Sequence, residues 1–230
     1  MNTFNPSSTK IKHKSNLIPD DFRSCGIIGG TRTGKTSLLP KILSKLHPYK
    51  HLIFMVRHPE QKVYQHILRH SKEQGAKNYV YTEPDITKIE RLSPLLKESP
   101  HNVLIVDDFI DKKALEPLVS TASAGRHLNL SCYYLIQDFF DLPKDIRLNL
   151  TEYMILPNDN FQYMLRGLPA YLSNKRMTEV YNEVTSEPYQ FLYICKDAKH
   201  PALRVRRGFN GVLPDFMPPK ETEIDEEKKE

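Results

Sequence analysis

Apolar residues along this chain fall into two patterns: short, nearly unbroken runs, and longer stretches in which they recur every three or four positions. Runs of the first kind read as strands buried on both faces, and stretches of the second kind as helices laid against them. Residues 24–28 form a strand feeding a glycine-rich loop. Residues 35–46 follow as a helix whose Leu38, Ile42 and Leu46 make one stripe, with Leu39 and Leu43 beside it. Pro40 inside that helix removes one backbone hydrogen bond and predicts a local kink, not a lost helix. The same alternation predicts strands at 52–56, 79–81, 103–106, 131–136 and 153–156. Helices are predicted at 60–74 (Val63, Ile67 and Leu68 inward), 86–97, 112–122 and 143–148, then around 160–167 and 173–186. Strands at 189–195 and 203–209 close the pattern as an antiparallel pair. Strands alternating with helices specify an α/β fold around a mostly parallel sheet.

Length and composition bound the rest. With 230 residues, 39% apolar and 27% charged, the chain suffices for one sizeable domain with a full core. No apolar run reaches the ~18 residues of a membrane-spanning helix, so no membrane insertion is expected. The first residues lack the apolar stretch of a signal peptide, which predicts a protein that is not secreted and stays in a cytosol-like compartment. Cys25, Cys132 and Cys195 lie far apart in apolar runs and read as buried thiols, not metal ligands. The net charge of +5 is uneven: residues 220–230 hold six acids against three lysines, −3, so the remainder carries +8. A basic body suits an anionic partner, nucleic acid included. Residues 1–22, with Lys10, Lys12, His13 and Lys14, read as a flexible basic arm, 23–210 as the folded domain, and 211–230 as a disordered charged tail.

The loop after the first strand carries the chemistry. Gly29, Gly34, Lys35 and Thr36 meet the spacing G-x-x-x-x-G-K-[ST] between an apolar strand and an amphipathic helix, the context of a phosphate-binding loop. Glycines let the backbone turn so that successive amides face phosphate oxygens, and the helix that follows adds its positive end. The segment Gly29, Gly30, Thr31, Arg32, Thr33, Gly34, Lys35, Thr36 and Ser37 is therefore expected to bind ATP, with Lys35 on the β and γ phosphates and the Thr36 hydroxyl on Mg²⁺. Arg32 either stays solvated or adds charge near the phosphates. The run Val103-Leu104-Ile105-Val106 ends in Asp107 and Asp108. Beside a phosphate loop, Asp107 is expected in the Mg²⁺ shell and Asp108 as the acid that polarises attacking water, which points to hydrolysis. Between Lys35 and Asp107 there is room for another strand and its helices. That spacing fits the additional-strand class of P-loop ATPases, in which a sensor strand lies between the two. The strand at 131–136 is the expected sensor, with Gln137 at the ligand-facing end.

Three further segments follow in train: Gly125-Arg126-His127-Leu128-Asn129-Leu130-Ser131, then Leu135-Ile136-Gln137, then Pro143-Lys144-Asp145-Ile146-Arg147-Leu148-Asn149. With the double Asp ahead of it, this train resembles the genome-packaging ATPases of large DNA viruses, the poxvirus type and its relatives in other nucleocytoplasmic viruses, virophages and Polinton-like elements, within the FtsK–HerA superfamily. The resemblance covers roughly residues 24–156. It implies an ATP-driven translocase that packs double-stranded DNA into a preformed capsid, with capsid vertex proteins as partners, in the host cytoplasm or the virion. It also implies a homo-oligomeric ring with ATP at subunit boundaries, where an arginine from one subunit stabilises transition-state charge in its neighbour. Arg126 and Arg147 are the candidates, Arg147 slightly preferred. DNA phosphates would meet Lys112, Lys113 and the loop before Gly125, or else Arg204, Arg206 and Arg207. On a strand Arg204 and Arg206 share one face, which reads equally as an edge strand defended by charge. The competing readings are a P-loop nucleotide kinase, a non-catalytic adaptor and a plasmid-mobilisation pump. The intact Lys35, Thr36, Asp107 and Asp108 argue against the adaptor, and no acceptor lid is evident for the kinase.

Overall fold

The computed structural model describes residues 22–46, 48–107, 109, 112–198, 200–209 and 211–213. Residues 1–21 of the expected arm, 214–230 of the expected tail, and Asp108 lie outside the described residues. The strands are β1 (Ser24–Ile28), β2 (His51–Val56), β3 (Lys77–Tyr81), β4 (Asn102–Asp107), β5 (Leu130–Ile136), β6 (Glu152–Ile155), β7 (Leu192–Cys195), β8 (Val205–Arg207) and β9 (Gly211–Val212). The helices are α1 (Lys35–Leu43), α2 (Lys62–Glu73), α3 (Ile86–Glu98), α4 (Lys112–Leu115), α5 (Val119–Ala124), α6 (Lys144–Asn149), α7 (Phe161–Met164) and α8 (Asn174–Thr185).

All nine described strands join one sheet in the order β3-β2-β4-β5-β1-β6-β7-β8-β9. Strands β1 to β6 are parallel to their neighbours, and β7, β8 and β9 continue antiparallel from β6. Strand β5 lies between β1 and β4, the additional-strand arrangement expected from the spacing. The loop after β1 and the acid ending β4 therefore face each other across the C-terminal end of β5.

Strands β1, β4 and β5 are buried from end to end, which is why they read as unbroken apolar runs. Successive side chains enter opposite faces of the sheet. One layer takes Ile28, Leu104, Val106, Tyr134 and Ile155 with the inner sides of α3 and α8. The other takes Cys25, Ile27, Val103, Ile105 and Tyr133 with the inner sides of α1 and α2. The three cysteines are free and buried, as expected. No helix among the described residues is long and apolar enough to cross a membrane.

The differences from expectation have local causes. The helix expected at 112–122 is broken into α4 and α5 by a tight turn at Glu116–Leu118, because Pro117 has no N–H to continue the ladder. α1 runs through Pro40 and ends at Leu43, three residues short of the expected end. Strand β7 begins at Leu192, not 189, because Tyr189 has a φ of 63° and cannot be part of an extended strand. Arg204 precedes β8 in a helical conformation, so it does not share a strand face with Arg206.

Candidate nucleotide site

The phosphate-loop sequence is stitched to both strands that flank β1. The Gly29 amide donates to the Ile136 carbonyl on the β5 side (3.2 Å), and the Gly30 amide to the Pro157 carbonyl on the β6 side (2.9 Å). A Cβ on Gly29 would stand 2.6 Å from Thr33 Oγ1 and 2.9 Å from Leu156 Cβ, so only glycine fits that turn. Gly34 has a φ of 101°, a left-handed conformation that glycine adopts without strain, and it opens α1 directly behind the loop. The Thr33 hydroxyl donates to the Gly30 carbonyl (2.9 Å) and tightens the turn from inside. The Lys35 ammonium lies across the loop mouth, donating to the carbonyls of Gly29 (2.7 Å) and Gly30 (2.8 Å). Arg32 sits at the exposed tip with a φ of 62°. Thr36 and Ser37 fall in the first turn of α1, whose amides have no acceptor within the helix.

Asp107 ends β4 with 4% of its surface exposed. Its Oδ2 accepts from the Thr36 hydroxyl at 3.0 Å and from the Tyr64 hydroxyl at 2.7 Å. A hydroxyl and a carboxylate in contact form a set of hard oxygen donors. Mg²⁺ suits such a set, since it prefers one or two carboxylates, waters and substrate phosphates to an all-protein cage. Gln137 follows β5, and its side-chain oxygen accepts from the Thr31 hydroxyl at 3.4 Å. A cleft of about 160 Å³ joins these groups, lined by Lys35, Thr36, Tyr64, Asp107, Phe109 and Gln137 among others. The fold thus brings Lys35, Thr36, Asp107 and Gln137 together from three separate stretches of sequence.

Three supporting residues escaped the sequence reading. Tyr64, 1% exposed on α2, orients the Asp107 carboxylate. The expected inward face of that helix was Val63, Ile67 and Leu68; Tyr64 stands three residues before Ile67, on the same face, and this spacing was a usable signal. Asn158 donates from Nδ2 to the Gln137 carbonyl (2.7 Å) and so fixes the residue after β5. Tyr181 on α8 accepts from the Asn158 amide (2.6 Å) and holds that loop in turn.

The two candidate arginines lie elsewhere. Arg126 is exposed in the tight turn Gly125–Leu128 that precedes β5, at the edge of the sheet opposite the phosphate loop. The seven residues of β5 separate the two edges by roughly 20 Å. Arg147 is half-buried on α6, donates from Nε to the Leu142 carbonyl (3.1 Å), and lies over the rings of Phe140 (4.7 Å) and Phe139 (5.4 Å).

The C-terminal basic group is not a surface stripe. Arg206 is fully buried opposite Tyr193, with its guanidinium 4.3 Å from that ring and Nη1 donating to the Phe209 carbonyl (2.9 Å). Arg207 pairs with Glu183 (2.9 Å) and Glu187 (3.8 Å), and Arg204 lies over Tyr171 (5.3 Å). Among the described residues there is neither an exposed Arg204–Arg206 face nor a charge-defended β8 edge, because β9 pairs with β8 and the pairing with Tyr193 turns Arg206 inward. Lys112 and Lys113 are exposed on α4.

The profile of the family described as "Poxvirus A32 protein" matches residues 10–203. The vaccinia virus DNA packaging protein OPG160 is 29% identical over 181 residues, covering 74% of this chain and 67% of that protein. Among solved structures, the genome packaging NTPase B204 from Sulfolobus turreted icosahedral virus 2, in complex with AMPPCP, gives a TM-score of 0.55 at 17% identity. That match covers 84% of this chain and 98% of B204. ATPases 2 and 3 of EssC from Geobacillus thermodenitrificans give a TM-score of 0.52 at 15% identity, covering 84% of this chain and 41% of that one. At such identities the structural likeness concerns the fold, and the fold shared is the P-loop NTPase sheet.

Proposed function

The chain belongs to the poxvirus A32 protein family, and from that premise we propose that it hydrolyses ATP to drive double-stranded DNA into a preformed viral capsid. The observation that carries the reading is the Thr36 hydroxyl 3.0 Å from the Asp107 carboxylate, beside a lysine poised across a glycine loop. In this reading the triphosphate lies against the amides of Gly29–Gly34 and the first turn of α1. Lys35 exchanges two loop carbonyls for phosphate oxygens. Thr36 and Asp107 hold Mg²⁺, which supplies neutralisation of the charge developing on the phosphates. Asp108, next in sequence, polarises the attacking water, and Gln137, steadied by Thr31 and Asn158, orients it.

Arg126 is the favoured trans-acting residue. It lies too far from its own phosphate loop to serve it, and among the described residues it makes no ion pair, whereas Arg147 is engaged by Leu142, Phe139 and Phe140. Action in trans requires the homo-oligomeric ring. DNA phosphates and capsid vertex proteins complete the partner set, in the host cytoplasm or in the virion. The body charge of +8 and the DNA packaging role named for the vaccinia relative support DNA as the substrate moved.

Long duplex DNA is expected to raise the ATPase rate, with half-stimulation moving to higher DNA concentration as salt increases, because phosphate contacts release counterions. The rate should be measured at two salt concentrations, with particle mass determined in the same samples. Stimulation by a small phosphate acceptor, with none by DNA, would replace this reading with a nucleotide kinase. Tyr64→Phe is expected to raise the Mg²⁺ concentration for half-maximal hydrolysis about tenfold, since the carboxylate loses the donor that orients it. An unchanged Mg²⁺ titration would mean that Tyr64 does not support the metal site.

A further inference from the structure

Tyr189 combines two features that are unusual for a bulky aromatic residue. It occupies the turn between α8 and β7 with a φ of 63°, a region bulky side chains rarely enter, and it is 69% exposed. Strain held at an exposed aromatic residue points to a use outside the core. The ring reaches the phosphate loop. A Cβ built on Gly34 would lie 3.1 Å from Tyr189 Cδ1 and 3.6 Å from Cε1, so the ring stands against the glycine that precedes Lys35.

The sheet topology explains how a residue so far along the chain arrives there. Strand β7 runs antiparallel to β6, with Leu192 opposite Ile155, so the turn before β7 emerges at the edge that carries the phosphate loop. In the order β4-β5-β1-β6-β7 it emerges on the opposite flank of β1 from Asp107. The end of the triphosphate that meets Thr36, Asp107 and Gln137 is fixed on the β4–β5 flank. The nucleoside end then leaves the loop on the other flank, past Gly34, where the Tyr189 ring waits.

We propose that Tyr189 is the stacking platform for the nucleobase of the bound nucleoside triphosphate. The inference rests on the assignment of Gly29–Thr36 as the triphosphate loop and adds a base subsite to it. A ring face reads no hydrogen-bonding edge, and every base has a π face. Tyr189 therefore selects for the presence of a base and not for its identity. The left-handed turn holds the ring in place before the nucleotide arrives, which lowers the entropy lost on binding.

The test is equilibrium binding to the full chain, with Mg²⁺, of ATPγS, GTPγS and inorganic tripolyphosphate. Tyr189→Ala is expected to weaken both nucleotides by about tenfold and to leave tripolyphosphate unchanged, and Tyr189→Phe to restore both. Tyr189→Gly removes the ring while relieving the strained φ. It should lose nucleotide affinity as Tyr189→Ala does, with no loss of thermal stability. Unchanged ATPγS affinity in the alanine variant would overturn the proposal. So would a parallel loss of tripolyphosphate affinity, which would make Tyr189 a prop for the loop. If wild-type chain held tripolyphosphate no better than a Lys35→Ala variant, the loop assignment itself would fall and the base subsite with it.

Discussion

Lys35→Ala is expected to lower ATP hydrolysis by about 10²–10³-fold, the scale seen when a single donor aimed at developing charge is removed from a preorganised site. The ammonium sits at the loop mouth, where it donates to the carbonyls of Gly29 and Gly30 and lines the cleft beside Thr36 and Asp107. The loop itself does not depend on it. Gly29 stays tied to Ile136, Gly30 to Pro157, and Thr33 to Gly30, so the variant should fold and melt close to the wild type. Lys35→Arg is expected to fail as well, because a planar fork does not replace a compact point charge in a glycine turn of this size. Phosphate release in steady state, with and without duplex DNA, and a thermal melt of the same samples decide it. Near-normal turnover in a folded Lys35→Ala chain would mean that phosphate is held somewhere else.

What the sequence made legible was governed by burial on both faces and by covalent spacing. Strands β1, β4 and β5 have no exposed position, so their apolar runs were unambiguous, and the order of loop, double Asp and Gln137 placed the sensor strand correctly between the other two. The glycine turn was legible because its constraints are steric and local: Gly29 has no room for a Cβ, and Gly34 needs a left-handed φ. Features that depend on partners distant in sequence were not. Tyr64 reaches a carboxylate 43 positions away, and Asn158 and Tyr181 act beyond the segment in which any motif was recognised. Arg206 misled for a related reason. A charged residue in a short strand reads as surface, and only the pairing of β7 with β8 shows it lying inside over Tyr193.

The buried pair at the start of β1 carries the largest expected effect on stability. Arg23 Nη1 lies 3.2 Å from Glu152 Oε2, and both side chains are only 2% exposed. The neighbouring Cys25 thiol and Tyr193 hydroxyl are pushed well up by burial and, after that, by the Glu152 carboxylate. Both stay neutral and offer Arg23 no negative charge of their own. Glu152→Gln keeps the shape but leaves the guanidinium charged in the interior, which is expected to cost about 3–5 kcal/mol. That corresponds to a fall in melting temperature on the order of 10 °C. The double variant Arg23→Met/Glu152→Met removes both charges and is expected to recover most of the loss, since replacing a whole buried pair by apolar side chains is often neutral or stabilising. Urea midpoints for the single and double variants provide the measurement. A single variant within about 1 kcal/mol of wild type, or a double variant no better than the single, would show that the pair is not the buried charge balance described. The pair also bridges β1 to β6, in the register that sets Cys25 opposite Glu152 and Ile28 opposite Ile155. Beyond Ile155, that register brings the Pro157 carbonyl to the Gly30 amide. A slip of β6 would withdraw one of the two anchors of the phosphate loop. If the pair specifies register, Glu152→Gln should lose ATP affinity even at temperatures where it remains folded, and the double variant should lose it too, despite its recovered stability.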